Sequence, residues 1–151
     1  MSSADVRIHS GGCSLAATYL EAAQPAAAAL LIQGSGRTDR NSDVRLPGGL
    51  KLRGAITRAV AEALGAVGVS TLRFDKRGVG ASGGDYISVG MDQRAADVRA
   101  ARDWLAAKTS GLPLLAVGHS EGTYYAAQLA ADGQAAGIVL LSGPAAPAAT
   151  S

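Results

Sequence analysis

At 151 residues the chain is long enough for one domain with a substantial core, and 48% hydrophobic against 17% charged residues is a globular balance that argues against disorder. The formal net charge of +2 comes from interspersed basic and acidic residues, with no run of like charge to track a phosphate backbone, so no nucleic-acid partner is expected. A single cysteine, Cys13, cannot form an internal disulfide, the N-terminus MSSADVRIHS has no secretory pattern, and the longest apolar run, Ala26 to Ile32, is too short for a bilayer; the expectation is a cytoplasmic protein with no membrane partner.

Val6 to His9 and Ser14 to Leu20 read as two short strands around the Gly11-Gly12 turn. After Pro25, AAAALLIQ is a continuous apolar run that suits a strand covered on both faces of a parallel sheet, and the polar GSGRTDRNSDVRLPGG behind it reads as a long loop. From Leu52 to Val67 the apolar residues Ile56, Val60, Leu64 and Val67 recur at helical spacing, with Gly68 placed to end the helix. VSTLRF is the next strand and DKRGVGASGGDYISVG a turn-rich loop. Met91, Ala95, Val98, Ala101 and Leu105 then mark a second helix face. LPLLAV, the helix Glu121 to Ala131 and the strand AGIVLLS complete an alternation that predicts an α/β fold, an open and mostly parallel sheet of about six strands with helices on both faces. Residues 1–151 form one domain in this reading, with a Pro/Ala-rich tail over 143–151 and no internal repeat.

Three segments carry chemistry. Gly118-His119-Ser120-Glu121-Gly122 fits G-x-S-x-G, and its context of apolar strand, sharp turn and helix would lift Ser120 Oγ above the sheet as a nucleophile, at a helix N-terminus that favours developing negative charge. Gly34-Ser35-Gly36 ends an earlier strand, where the backbone N–H of Ser35 joins that of Glu121 as a candidate oxyanion hole; the bland reading is a Gly/Ser turn without a ligand. The third is LRFDKRGVGASGG. Its Gly78-Val79-Gly80-Ala81-Ser82-Gly83 also satisfies G-x-G-x-x-G, but Asp75, Lys76 and Arg77 separate it from its strand and no helix follows directly, which argues against a dinucleotide loop.

Asp75, Arg77, Gly78, Gly80 and Ser82 match the D-x-R-G-x-G-x-S turn common in α/β-hydrolases. With QGSG before it and GHSEG after it, the chain from about Val6 to Pro144 resembles the N-terminal portion of an α/β-hydrolase of the esterase, thioesterase or serine-aminopeptidase type, reaching the sixth of that fold's eight strands. The resemblance implies hydrolysis of an ester, thioester or peptide bond in a small-molecule acyl substrate, with Ser120 as nucleophile, Gly118, Gly122, Gly34 and Gly36 shaping the elbow and oxyanion loop, and neither cofactor nor metal. It also implies an acid and a base later in the chain, in the order Ser, Asp or Glu, His. After Ser120 the acidic residues are Glu121 and Asp132, both on a predicted helix, and there is no histidine. His119 is expected to pack or bond a loop, and His9 lies on the first strand; neither is placed as a base. The expectation is a truncated, nearly inactive hydrolase, or alternatively a non-catalytic binding module on the same fold. Asp97 is expected to brace the loop by pairing with Arg77 or Arg73, Cys13 to fill space, and Trp104 and Tyr124 to pack on core or helix faces. The apolar strand GIVLLSG is expected to self-associate, or to pair with a complementing C-terminal part, through its free edge.

Overall fold

The computed structural model describes residues 1–144, so the expected tail, apart from its first two positions, lies outside the described residues. The N-terminal hairpin is longer than its apolar core suggests. β1 (Ser2–Ser10) and β2 (Cys13–Glu21) pair in register from Ser2 opposite Glu21 to Ser10 opposite Cys13, and Gly11 and Gly12 turn the chain with φ of 51° and 76°. β3 (Ala27–Ile32) follows Pro25 as expected. The segment read as a plain loop contains a small hairpin, β4 (Asp43–Arg45) and β5 (Lys51–Arg53), which takes up the first residues assigned to the following helix. The physical signal was Pro47-Gly48-Gly49: both glycines take φ of 85°, and Leu46 and Leu50 close the turn.

The chain continues through α1 (Ile56–Ala66), β6 (Val69–Phe74), α2 (Met91–Lys108), β7 (Leu114–His119), α3 (Gly122–Ala131) and β8 (Gly137–Leu141). The main sheet has the order β1-β2-β6-β3-β7-β8, antiparallel at the β1-β2-β6 end and parallel from β6 to β8. Strand alternation sorts the core into two layers. Ala28, Leu30, Ile32, Leu114 and Ala116 pack with Ala95, Val98, Ala101 and Leu105 of α2 and with Ala126 and Leu129 of α3. On the opposite face Ala29, Leu31 and Val117 pack with Ala61, Val60 and Leu64 of α1. Cys13 is buried in the first layer, and Trp104 packs edge-on to Tyr19 with ring centroids 5.7 Å apart.

The buried face of α1 differs from its apolar spacing. Thr57, Ala61 and Gly65 are buried, whereas Ile56 is 42% and Val67 73% exposed. Small side chains let the helix approach closely: a Cβ on Gly65 would strike the Leu20 side chain, so the thin stripe faces the sheet and the larger residues flank it. α2 keeps its expected face except for Met91, which is exposed. Among the described residues β8 is an edge strand bonded to β7 alone, and its Ile138, Val139 and Leu140 are 38%, 45% and 50% exposed.

Parallel pairing puts the C-terminal ends of β3, β6 and β7 side by side: Leu31 pairs with Arg73 and Ile32 with Gly118. The three loops that leave those ends, at 33–37, 75–90 and 120–121, therefore meet at one edge of the sheet, where open α/β sheets place their sites.

Candidate active site

Ser120 turns the chain from β7 into α3 with φ of 52°, a left-handed conformation that costs a serine about 1–3 kcal/mol. Three bonds hold it there. Its N–H donates to Leu141 O at 2.9 Å, and its own carbonyl accepts from Thr123 N at 3.0 Å and from Thr123 Oγ1 at 2.6 Å. The flanking glycines are required by contact: a Cβ on Gly118 would collide with the Gly122 backbone, and one on Gly122 with the carbonyl of Ile32. The serine is left half-exposed above the sheet.

The Gly34-Ser35-Gly36 tip lies against this elbow, where a Cβ on Gly34 would stand 3.1 Å from Ser120 Cβ. Gly36 takes φ of 85°, and Ser35 is exposed. Among the described residues the N–H groups of Ser35 and Glu121 donate to no protein acceptor. Two candidate donors and the candidate nucleophile thus share one rim.

The D-x-R-G-x-G-x-S turn is tied down at its Asp, its Arg, its first Gly and its Ser. Asp75, 2% exposed, accepts from Arg40 N at 2.7 Å and from Ala81 N at 2.9 Å, while Ser82 Oγ donates to Asp75 O at 2.6 Å and accepts from Ala16 N at 2.8 Å. Gly80 leaves room for the Asp75 carboxylate, and Gly78, at φ 73°, for the backbone of Tyr86. Arg77 pairs with buried Asp97 at 2.8 Å and also donates to Ser10 O; Arg73 bonds Asn41 instead. The Ala81 amide is turned inward onto a carboxylate and Gly78 N–H closes on Gly83 O, so a phosphate would find those donors occupied.

Neither histidine is joined to Ser120 by a hydrogen bond among the described residues. His9 is on β1, four strands from β7 and so roughly 19 Å away at the usual strand spacing. His119 borders Gly34 and an apolar notch made by Ile56, Val60, Val117 and Leu141. Glu121 and Asp132 cap the two ends of α3.

The residue types singled out in the sequence omit several that shape this rim. Lys76 Nζ donates to Gly34 O and, at 2.8 Å, to Gly36 O. Tyr86 lies under the guanidinium groups of Arg37 and Arg94, 5.2 and 4.5 Å from its ring centroid, and Arg94 reaches Glu121 at 3.8 Å. Behind the elbow is a cavity of about 30 Å³ that Gln33, Lys76, Glu121 and Tyr125 help to line. Burial pushes the Lys76 ammonium down to about 8, with Glu121 pulling the other way and Arg94 adding to the fall; burial and the Glu121 charge raise the Tyr125 hydroxyl. Only the position of Lys76, just past an apolar strand, hinted at a role.

The family model for serine aminopeptidase, S33, matches residues 44–150, which include the D-x-R-G-x-G-x-S turn and the elbow. The chain belongs to the S33 serine aminopeptidase family of α/β-hydrolases. Solved structures agree on the fold of this S33 member. The α/β-hydrolase GrgF from Penicillium sp. sh18 superposes with a TM-score of 0.74 at 21% identity, covering 95% of this chain and 46% of that one. An α/β serine hydrolase without a lid from Xanthomonas campestris gives 0.74 at 21% identity, with 99% and 65% covered. Ferulic-acid-bound Est1E from Butyrivibrio proteoclasticus gives 0.71 at 23%, with 91% and 52% covered. The chain therefore spans about half to two thirds of the length of these structures. No curated protein sequence matches it. Among the described residues of this S33 chain no helix is long and apolar enough to cross a membrane.

Proposed function

We propose that the chain carries the nucleophile and the oxyanion hole of a serine hydrolase that transfers an acyl group from an ester, thioester or peptide to water, and that it is nearly inactive alone. Ser120 attacks the carbonyl carbon, and the N–H groups of Ser35 and Glu121 take the oxygen that becomes negative. The observation that carries this reading is the left-handed turn at Ser120 with the Gly34-Ser35-Gly36 tip against it. Inactivity follows from the lack, among the described residues, of an imidazole bonded to Ser120: the hydroxyl keeps its proton and attacks slowly. That same lack is what favours the second reading, a non-catalytic binding module.

A fluorophosphonate probe separates the two. Slow labelling is expected, confined to Ser120 and absent from Ser120→Ala. Fast stoichiometric labelling of Ser120 would show that a base is supplied, and labelling only at other residues would remove Ser120 from the role of nucleophile.

The edge strand adds an expectation on assembly. Among the described residues β8 shows one row of unpaired backbone groups together with exposed Ile138, Val139 and Leu140, a template for another strand. A second copy, which offers the same edge, is the proposed occupant. Sedimentation velocity at micromolar concentration should show association, reduced when Val139 is changed to Lys; a monomer with slow amide exchange across Ile138 to Leu141 would contradict it.

A further inference from the structure

The oxyanion loop has little of its own to hold it. Residues 34–37 make no backbone hydrogen bond with one another or with the strands among the described residues, Ser35 and Gly36 are exposed, and a Cβ on Gly36 would meet nothing within 4 Å. A loop built on two glycines and free of such ties samples many peptide orientations. An oxyanion donor does the opposite, since it works by being aimed before the charge appears.

What ties this loop is Lys76. Its ammonium group comes from the end of β6, two residues past Phe74, and donates to the carbonyl oxygens of Gly34 and Gly36. A carbonyl and the next residue's N–H share one planar unit, and in a trans peptide they point in opposite directions. All peptide bonds described are trans. Drawing the Gly34 carbonyl toward Lys76 therefore turns the Ser35 N–H away from it, and drawing in the Gly36 carbonyl does the same for the Arg37 N–H.

We infer that Lys76 is a positioning residue for the oxyanion hole: by gripping the Gly34 and Gly36 carbonyls it holds the Ser35 N–H in the orientation that receives negative charge on a group bonded to Ser120. The inference rests on the reading of Ser120 and Ser35 given above, and it adds a regulator to that site. The grip is charge-assisted, about twice as strong as a bond between neutral groups, and it weakens when the ammonium loses its proton. Burial has brought that loss to about pH 8, within the working range of an enzyme. The charged groups acting on Lys76 are Glu121 from the elbow and Arg94 from α2; Tyr125 and the Arg77–Asp97 pair line the same cavity, and His119 borders Gly34.

Two measurements on the 151-residue chain test this. In amide NMR spectra, the Ser35 and Arg37 resonances should move through an inflection near pH 8 in the wild type and in His119→Asn, and stay flat in Lys76→Met; Lys76→Gln serves if the methionine variant does not fold. Signals without that inflection, or with the same one after Lys76 is replaced, overturn the inference. The second probe is phenylboronic acid, whose boron takes Ser120 Oγ as a fourth ligand, releases the serine proton to solvent and leaves an anionic tetrahedral centre. Wild type should bind it about tenfold more tightly than Lys76→Met below pH 7, and the ratio should fall toward one above pH 9; probe ionisation cancels in that ratio. Binding that is Ser120-dependent but shows a flat ratio sinks the inference alone. Binding unchanged by Ser120→Ala sinks the serine-hydrolase reading, and the aim of the Ser35 N–H with it.

Discussion

The 151-residue chain is expected to hydrolyse an activated ester such as p-nitrophenyl acetate with a kcat about 10⁶ below that of a complete serine triad, a loss of about 8 kcal/mol of transition-state stabilisation. The reason is that a serine hydroxyl attacks only as its proton leaves, and among the described residues no imidazole is bonded to Ser120 to take it. What survives is the part of catalysis due to binding and the oxyanion donors, about 10³ to 10⁴ over water. Triad members act as a unit, so once the base is missing, removing the nucleophile costs little more, and Ser120→Ala should change the residual turnover by less than about tenfold. The same substitution should abolish fluorophosphonate labelling. Turnover in the ordinary range of roughly 1 to 10³ s⁻¹, collapsing on Ser120→Ala, would mean that this chain or a second copy of it supplies a base.

Gly122→Ala should lower the melting temperature by roughly 5–10 °C, from an overpacking cost of about 2–3 kcal/mol in a chain of this size. The added methyl would collide with the Ile32 carbonyl and its carbon, and the Gln33 carbonyl lies 3.0 Å away. These are backbone atoms at the end of the central strand, so no rotamer change relieves the clash. Either α3 tilts away from β3 or the strand ends part, and both movements separate Ser120 from the Gly34-Ser35-Gly36 tip. Gly83→Ala is the control: its methyl would meet nothing nearer than 3.6 Å, and the melting point should shift by no more than about 2 °C. Equal shifts in the two variants would show that the crossing of α3 over β3 is looser than the contact distances imply.

Much of this fold was legible from local pattern. Continuous apolar runs such as AAALLI and helical spacing such as Ala95, Val98, Ala101 and Leu105 report burial that each segment shows on its own, because strand and helix periods are set within a few residues. The elbow was legible for the same reason: strand, left-handed serine, two glycines and helix all fall within one short stretch. The sequence by itself therefore determined the succession of the six main-sheet strands along the chain, though not the β4-β5 hairpin, together with the candidate nucleophile and the loops around it. Only the tertiary structure decided which surfaces meet. It turned the small residues Thr57, Ala61 and Gly65 of α1 inward, in place of the larger Ile56 and Val67, because closeness to the sheet outweighed side-chain size. It paired Asp75 with Arg40, chose Arg77 over Arg73 as the partner expected for Asp97, and brought Lys76 onto Gly34 and Gly36. Those partners lie 20 to 42 residues apart, and their proximity arises when parallel strands align their C-terminal ends, which no local period encodes.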